Sequence, residues 1–375
     1  MKIDYYYEYP ITNEIKQVVM EVLEGRVHYA GKYTEGLEAG IAQLSGVKYG
    51  VSANSGSSAL FMILHAMGIG AGDEVIVPTN GYVANAECVI NRGAHPVFAD
   101  CVADTMCLDP NSFRDAITDK TKAVIVVHKY GHPADLDAIL EIARPRGIKV
   151  IENGCHALGA RYKGRRVGSF GDVGFFALSH KSLSVCGMGG MAVTNDEKLA
   201  TTIKYLRHHG RVGLEESEYV MNAIGYNMRI NEMQAAIGCV QLKTLDAWNA
   251  QRHENASVFT RLIEERNIPV STPMEKSYAH HVYLHYVIRV AQNRDSLLQH
   301  MWQQGIEAKC HYPIPCHLQG PIVQAVGRQG PFPVAEQACR EVVSLPCDPS
   351  MQEEKMTYVV DQLKNYLVQP TGMKR

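Results

Sequence analysis

Lys181 stands between an apolar, strand-like run, Val173-Gly-Phe-Phe-Ala-Leu178, and a glycine cluster, Gly187-Met-Gly-Gly190. That position suits an amine that bonds covalently to a carbonyl cofactor. To form an imine the ammonium must lose its proton, which calls for a desolvated site, and the chemistry that follows needs an electron sink. A lysine at a strand-to-loop junction inside an α/β core meets these needs. A surface lysine does not.

Other segments could surround such an amine. Ser52-Ala-Asn-Ser-Gly-Ser-Ser58 precedes a buried helix, so small residues lie where free backbone N–H groups meet the positive end of a helix dipole. A phosphate cradle and an ordinary serine cap both fit this pattern. Ile151-Glu-Asn-Gly-Cys-His156 ends a strand, where polar residues face the ligand crevice of a parallel sheet. Asn153 and His156 are therefore candidates to hydrogen-bond a ring cofactor, and the plain alternative for His156 is a satisfied structural histidine. Gly187-Met-Gly-Gly-Met-Ala192 matches a dinucleotide fingerprint formally, but it runs into a strand rather than a helix, so that reading fails. The glycines instead allow a tight reversal beside Lys181. Asn227 and Arg229 fall just before a helix, as binding residues or as a helix entry. His311-Tyr-Pro-Ile-Pro-Cys-His317 is a proline-bracketed loop in which His311, Tyr312 and His317 are suited to a polar substrate, or to an exposed turn.

The elements that must position these residues are legible as alternating patterns. Glu74–Pro78, Lys122–His128, Lys149–Glu152, Gly171–Leu178 and Met191–Thr194 read as strands, and Ser58–Met67 and Leu136–Ala143 as buried helices. This predicts an α/β fold with a mainly parallel sheet covered on both faces. A helix over Asn231–Leu245 leads out of it. A strand over Val282–Val290 and helices over Arg294–Gln304 and Gln352–Leu367 then suggest a smaller α+β unit, giving a large domain at 1–248 and a C-terminal domain at 249–375.

Bulk composition narrows the function classes. In 375 residues, 37 Lys plus Arg balance 39 Asp plus Glu, so no basic field exists to attract nucleic acid or an anionic membrane. The ten cysteines lack C-x-x-C spacing, and Cys88, Cys239 and Cys339 lie in apolar runs, which predicts reduced thiols, a cytoplasmic setting and no metal. No apolar stretch reaches bilayer length and the first residues carry no signal-peptide pattern, so a soluble protein is expected.

In their order along nearly the whole chain, these segments resemble the DegT/DnrJ/StrS family of sugar aminotransferases. The matches include Gly72–Pro78, His128-Lys-Tyr-Gly-His-Pro-Ala-Asp135, Tyr205–Arg211, Gly225-Tyr-Asn-Met-Arg229 and His311–His317. The resemblance implies an aspartate aminotransferase-like fold (fold type I) with pyridoxal 5′-phosphate as cofactor, serving amino-sugar or antibiotic-type biosynthesis. It implies that Lys181 is the Schiff-base lysine, that Tyr82 stacks on the pyridine, and that Gly56 and Ser57 bind the phosphate. By the same resemblance His156 lies near the phenolic oxygen, Asn227 reaches the phosphate of the partner subunit's cofactor in a homodimer with shared sites, and the 311–317 loop meets the sugar.

The chain departs from that family in three places. Asn153 replaces an aspartate that salt-bridges the pyridine nitrogen; an amide brings no charge, and charge-assisted bonds are roughly twice as strong as neutral ones, so the electron sink is weakened. An ungapped register would put Ser182 at the lysine position, but Lys181-Ser-Leu-Ser-Val-Cys-Gly-Met-Gly-Gly-Met191 favours Lys181, with Ser179 supplying the phosphate hydroxyl. Met188 stands where an acidic residue is common. Family dehydratases carry histidine at the lysine position, so His180 keeps a pyridoxamine-dependent dehydratase open as an alternative, alongside a regulatory, cofactor-binding relative.

Overall fold

Branched apolar residues alternate between two cores along the central strands, and this sets the layers of the molecule. Val75, Val77, Ala123, Ile125, Ile151, Val173 and Phe175 face one core, while Ile76, Val124, Val126 and Val150 face another. Strands buried on both sides need helices on both faces. The computed structural model describes residues 1–6, 9–179, 181–211 and 220–368.

Along the chain α1 (Asn13–Glu24) and α2 (Lys32–Ser45) precede β1 (Tyr49–Ala53). There follow α3 (Gly56–Ala66), β2 (Glu74–Pro78), α4 (Ala84–Asn91), β3 (His95–Ala99), α5 (Pro110–Asp115), β4 (Thr121–Val127), α6 (Leu136–Ala143) and β5 (Lys149–Asn153). Short strands β6 (Arg161–Tyr162) and β7 (Arg165–Arg166) lead to β8 (Val173–Leu178) and β9 (Gly189–Thr194). After α7 (Glu197–Arg207), α8 (Glu232–Leu242) and α9 (Leu245–Glu265) come β10 (Ala279–His280), β11 (Tyr286–Arg289), α10 (Arg294–Gln303), α11 (Gly320–Val326), α12 (Pro333–Glu341), β12 (Val342–Leu345) and α13 (Glu353–Leu367).

The main sheet has the order β1-β9-β8-β5-β4-β2-β3. Neighbours from β8 to β3 run parallel, and β9 is antiparallel to both β8 and β1. The five strands expected in this part are all present. The two additional ones, β1 and β3, are the sheet's edges, where Gly50, Ser52 and Pro96 are tolerated because one side of the strand needs no partner. The expected helix over Asn231–Leu245 is two helices, broken at Lys243-Thr244. The expected strand over Val282–Val290 shrinks to Tyr286–Arg289. Tyr283 has φ 43°, and the N–H groups of Val282 and His285 donate to the carbonyls of Gly131 and Tyr130 instead of to a strand.

A separate core gathers Ile3 with residues between Ala256 and Leu363. We propose the domain division near residue 248 on this grouping, with one correction: Ile3 packs with the C-terminal core, so the first residues do not belong to the large domain. No linker separates the two parts, because α9 starts in the core that holds Leu245 and ends in the one that holds Phe259. None of the ten cysteines is in a disulfide; Cys88 and Cys339 are buried and Cys239 is half-buried. Among the described residues no helix is long and apolar enough to cross a membrane.

The end of β5 is fixed by Glu152, which is fully buried. Its carboxylate accepts from His128 Nε2 at 3.1 Å and from the N–H groups of Gly168, Phe170 and Gly171 at 2.7, 2.7 and 2.8 Å. His128 Nδ1 accepts from the Ala134 N–H, which makes Nε2 the donor. Burial alone would raise this carboxyl; the His128 contact and the backbone donors outweigh it and hold it below the ordinary value. A carboxyl depressed in the folded state contributes stability above its unfolded value of about 4.3 and loses it as pH falls through the folded value. Glu152→Gln is therefore expected to lower unfolding free energy at pH 7 by about 3 kcal/mol. In urea titrations the difference from wild type should shrink once pH drops below about 4.3.

Candidate active site

A crevice of about 310 Å³ opens where β2, β4, β5 and β8 end. The carboxyl edge of a parallel sheet is where open α/β folds bind ligands. Lys181 follows β8 into it, is buried, and Nζ has no hydrogen-bond partner among the described residues. The amine lies 3.4 Å from the centroid of the Tyr5 ring, whose hydroxyl is 2.5 Å from His285 Nδ1. Burial pushes the Lys181 amine down to about 7, and the Arg252 guanidinium acts in the same direction. Arg252, buried on α9, donates to the Lys181 carbonyl, to Asn249 Oδ1 at 2.8 Å and to the Tyr9 hydroxyl at 3.1 Å. Tyr9 in turn donates to that same carbonyl.

The loop before α3 forms the anion-facing wall. Ser55 is the N-cap, its Oγ accepting from the Ser58 N–H at 3.0 Å. The cap and the cradle readings are thus compatible: the cap satisfies Ser58, while the first-turn N–H groups of Gly56 and Ser57, which have no intrahelical acceptor, line the crevice. Two glycines permit this approach. A Cβ on Gly56 would sit 2.9 Å from the Ala177 Cβ, and one on Gly190 would overlap the Ser55 carbonyl. The reversal beside Lys181 is made by Cys186 and Gly187, both with positive φ.

On the β5 side, Asn153 Nδ2 donates to Asn85 Oδ1 at 2.9 Å and Asn153 Oδ1 accepts from the Cys155 N–H at 3.0 Å. This leaves Asn85 Nδ2 buried and unpartnered, as are His156 Nδ1 and Lys181 Nζ. All three residues line the crevice. Burial pushes the His156 and His285 imidazoles well below their ordinary value and His311 to about 3, so each is neutral at pH 7.

Gly56, Ser57, Tyr82, Asn153, His156, Ser179, Lys181, His311 and Tyr312 line this one crevice. Ser182 Oγ donates to the Ala177 carbonyl, and Ser182 is not among the lining residues, which supports the Lys181 register. Three expected residues lie elsewhere. His317 is buried between Thr79 Oγ1, 2.5 Å from Nδ1, and Glu336, 3.2 Å from Nε2, and so is a satisfied structural histidine. Asn227 is exposed, and its Oδ1 accepts from Arg229 Nε and Nη2. Arg229 lines a neighbouring pocket with Arg207 and Arg211. His180 lies outside the described residues.

Tyr5, Asn85, Lys129, His285 and Arg252 join the site without having stood out in the sequence. Only the His128-Lys-Tyr-Gly131 motif could have flagged Lys129; His285 was hidden in a run taken for strand. Away from the crevice, His253, Glu275 and His280 bring ligand-type atoms within 4.8 Å of one another, a grouping that their spacing does not announce.

A buried, deprotonatable lysine facing a helix N-terminus at the edge of a mainly parallel sheet is an arrangement that can bond a carbonyl group and hold an anion. A model of the DegT/DnrJ/EryC1/StrS aminotransferase family matches residues 10–364, and the chain belongs to that family. It is 40% identical over 356 residues to a pleiotropic regulatory protein of Geobacillus stearothermophilus, covering 94% of each chain. It is 36% identical to a UDP-N-acetyl-3-dehydro-α-D-glucosamine 3-aminotransferase of Acidithiobacillus ferrooxidans, over 96% of this chain and 95% of the relative. The crystal structure of S. venezuelae DesV in complex with a ketimine intermediate superposes with a TM-score of 0.90 at 34% identity, covering 95% of each chain.

The lowered Lys181 value has a direct consequence. Reactivity of this amine toward a small aldehyde, followed by reductive 13C-methylation and NMR, should rise through a midpoint near pH 7. Exposed lysines should stay protonated up to about 10.4.

Proposed function

We propose that the chain is a pyridoxal 5′-phosphate-dependent aminotransferase that moves an amino group from an amino acid donor, glutamate or glutamine, to a keto sugar or keto cyclitol. The observation that carries this reading is the convergence of three orphaned buried polar atoms, Lys181 Nζ, Asn85 Nδ2 and His156 Nδ1, on one crevice with a helix N-terminus at its wall. Buried polar atoms are nearly always satisfied, so three on one surface mark a missing polar ligand. The relatives' sugar-aminotransferase descriptions agree with it.

The residues fit the cofactor. The Gly56 and Ser57 N–H groups, with Ser179, would hold its phosphate, Tyr82 its ring face, and His156 its phenolic oxygen. The bound cofactor supplies an electrophilic aldehyde and an electron sink. The protein supplies the rest. Lys181 would anchor the group and, as a free amine, would carry the proton from the donor α-carbon to the cofactor carbon that had been its aldehyde; an amine near 7 can both accept and release a proton at neutral pH. Tyr5 offers the freed ammonium an aromatic face. Burial keeps the imidazoles of His156, His285 and His311 neutral, so they add no positive charge beside the amine.

Exposed Asn227 and the exposed apolar side chains of Ile11, Met20, Leu23, Val220 and Ile224 support a homodimer with shared sites. Unpaired cysteines support a cytoplasmic setting. The amide pair gives this chain its own character. With Asn153 bonded to Asn85 and Cys155, the free group is a donor, Asn85 Nδ2, which matches an unprotonated ring nitrogen rather than a pyridinium. A regulatory role is the second reading, favoured by the description of the G. stearothermophilus relative.

Lys181→Ala should abolish the visible absorbance of lysine-bound cofactor and all turnover while leaving the circular dichroism unchanged; retained transamination would refute the assignment. In wild type, adding glutamate should bleach that band, whereas a purely regulatory protein would leave it unaltered. Asn153→Asp should shift the cofactor spectrum and change the half-reaction rate, and an unaltered spectrum with unaltered rate would remove the ring-nitrogen argument.

A further inference from the structure

Lys129 follows β4 and is 1% exposed. Its Nζ donates to the Asn80 carbonyl at 2.6 Å and lies 4.6 Å from the Tyr312 ring centroid and 4.7 Å from that of Tyr130. These contacts favour a cation but do not neutralise it. Among the described residues no carboxylate forms an ion pair with Lys129, and one hydrogen bond leaves two of the three ammonium donors free. Burial lowers this amine only to about 8, so it is mostly charged at neutral pH.

Among the described residues, the crevice that Lys129 shares with Lys181 is lined by no aspartate or glutamate. A buried charge without a counter-ion is costly, and a cavity that retains one is suited to receive an anion. Phosphate already has a separate cradle at the α3 N-terminus. The remaining anion must come with a reactant, and an amino acid donor always brings carboxylates.

We propose that Lys129 is a specificity-determining residue that binds a carboxylate of the reacting small molecule, carried by the amino donor or by an acidic keto sugar. This assignment rests on the aminotransferase reading above. The ammonium holds the carboxylate from the β4 side of the crevice, and the Tyr130 and Tyr312 rings exclude water around the pair.

Calorimetric titration of the cofactor-loaded protein with glutarate and with D-glucuronate tests it, comparing wild type with Lys129→Met. The expected result is a loss of tenfold or more in affinity for at least one probe in the variant. Loss for glutarate alone assigns the donor carboxylate, loss for glucuronate alone an acidic sugar, and loss for both a position that the two reactants share. Equal affinity of wild type and variant for both probes, or no binding of either to wild type, would overturn the proposal. If Lys129→Met does not fold, wild type is titrated with glutarate against its diamide: a tenfold preference for the carboxylate supports the role, and equal binding ends it. A wild-type protein that takes up no cofactor would sink the aminotransferase reading by itself, whereas the same titrations on the protein as purified judge Lys129 alone.

Discussion

The guanidinium of Arg252 is the contact on which the site depends. It is 1% exposed, pairs with no carboxylate among the described residues, and spends its donors on the Lys181 carbonyl, Asn249 and Tyr9. A backbone carbonyl outside regular structure must find a donor when buried, and here the donor is a cation fixed on a 21-residue helix. The main chain at Lys181 is thereby held, while its Nζ makes no hydrogen bond among the described residues. The same positive charge lies close enough to disfavour a second one on Nζ. One interaction thus supplies both the position of the amine and part of its readiness to lose a proton.

Because α9 runs from one core into another, that contact also joins the two parts of the chain. The N-terminal segment crosses the same boundary. Ile3 packs in the C-terminal core, Tyr5 covers the Lys181 amine, and Tyr9 shares the carbonyl with Arg252. The crevice is therefore walled by strand ends of the large sheet on one side and by residues of the chain's beginning and C-terminal third, Tyr6, His285, His311 and Tyr312, on the other. A site between two packed units gains desolvation from both, and that explains why imidazoles from different segments are all pushed toward the neutral form.

What could be read in the sequence was what local pattern carries. Buried parallel strands leave continuous branched runs, so β4, β5 and β8 were legible, and with them the strand ends that bear Asn153, His156 and Lys181. Edge strands leave no such run, and Pro96 hid β3. Tyr5, Lys129, His285 and Arg252 could not be found this way, because each is defined by what it meets across the fold rather than by its neighbours in the chain. Arg252 in particular looks like a solvated helix residue until its burial is known. His317 shows the opposite error: a proline-bracketed loop suggested substrate contact, but the 3-10 turn at Cys316–Leu318 aims the ring inward to Thr79 and Glu336.

Glu152 and Asn153 show how adjacent positions on one strand divide structural and chemical work. Alternation along β5 sends Glu152 to the face opposite Asn153. There its charge is consumed by His128 and three backbone donors and cannot act on the crevice. The negative charge at this strand end is thus structural, and the crevice side carries only an amide, itself locked to Asn85 and Cys155. With two lysines and, among the described residues, no carboxylate lining it, the crevice has a surplus of positive charge that its described residues do not cancel. The first-turn N–H groups of α3 and the donors on the β4 side are the two places where a bound anion would answer that surplus.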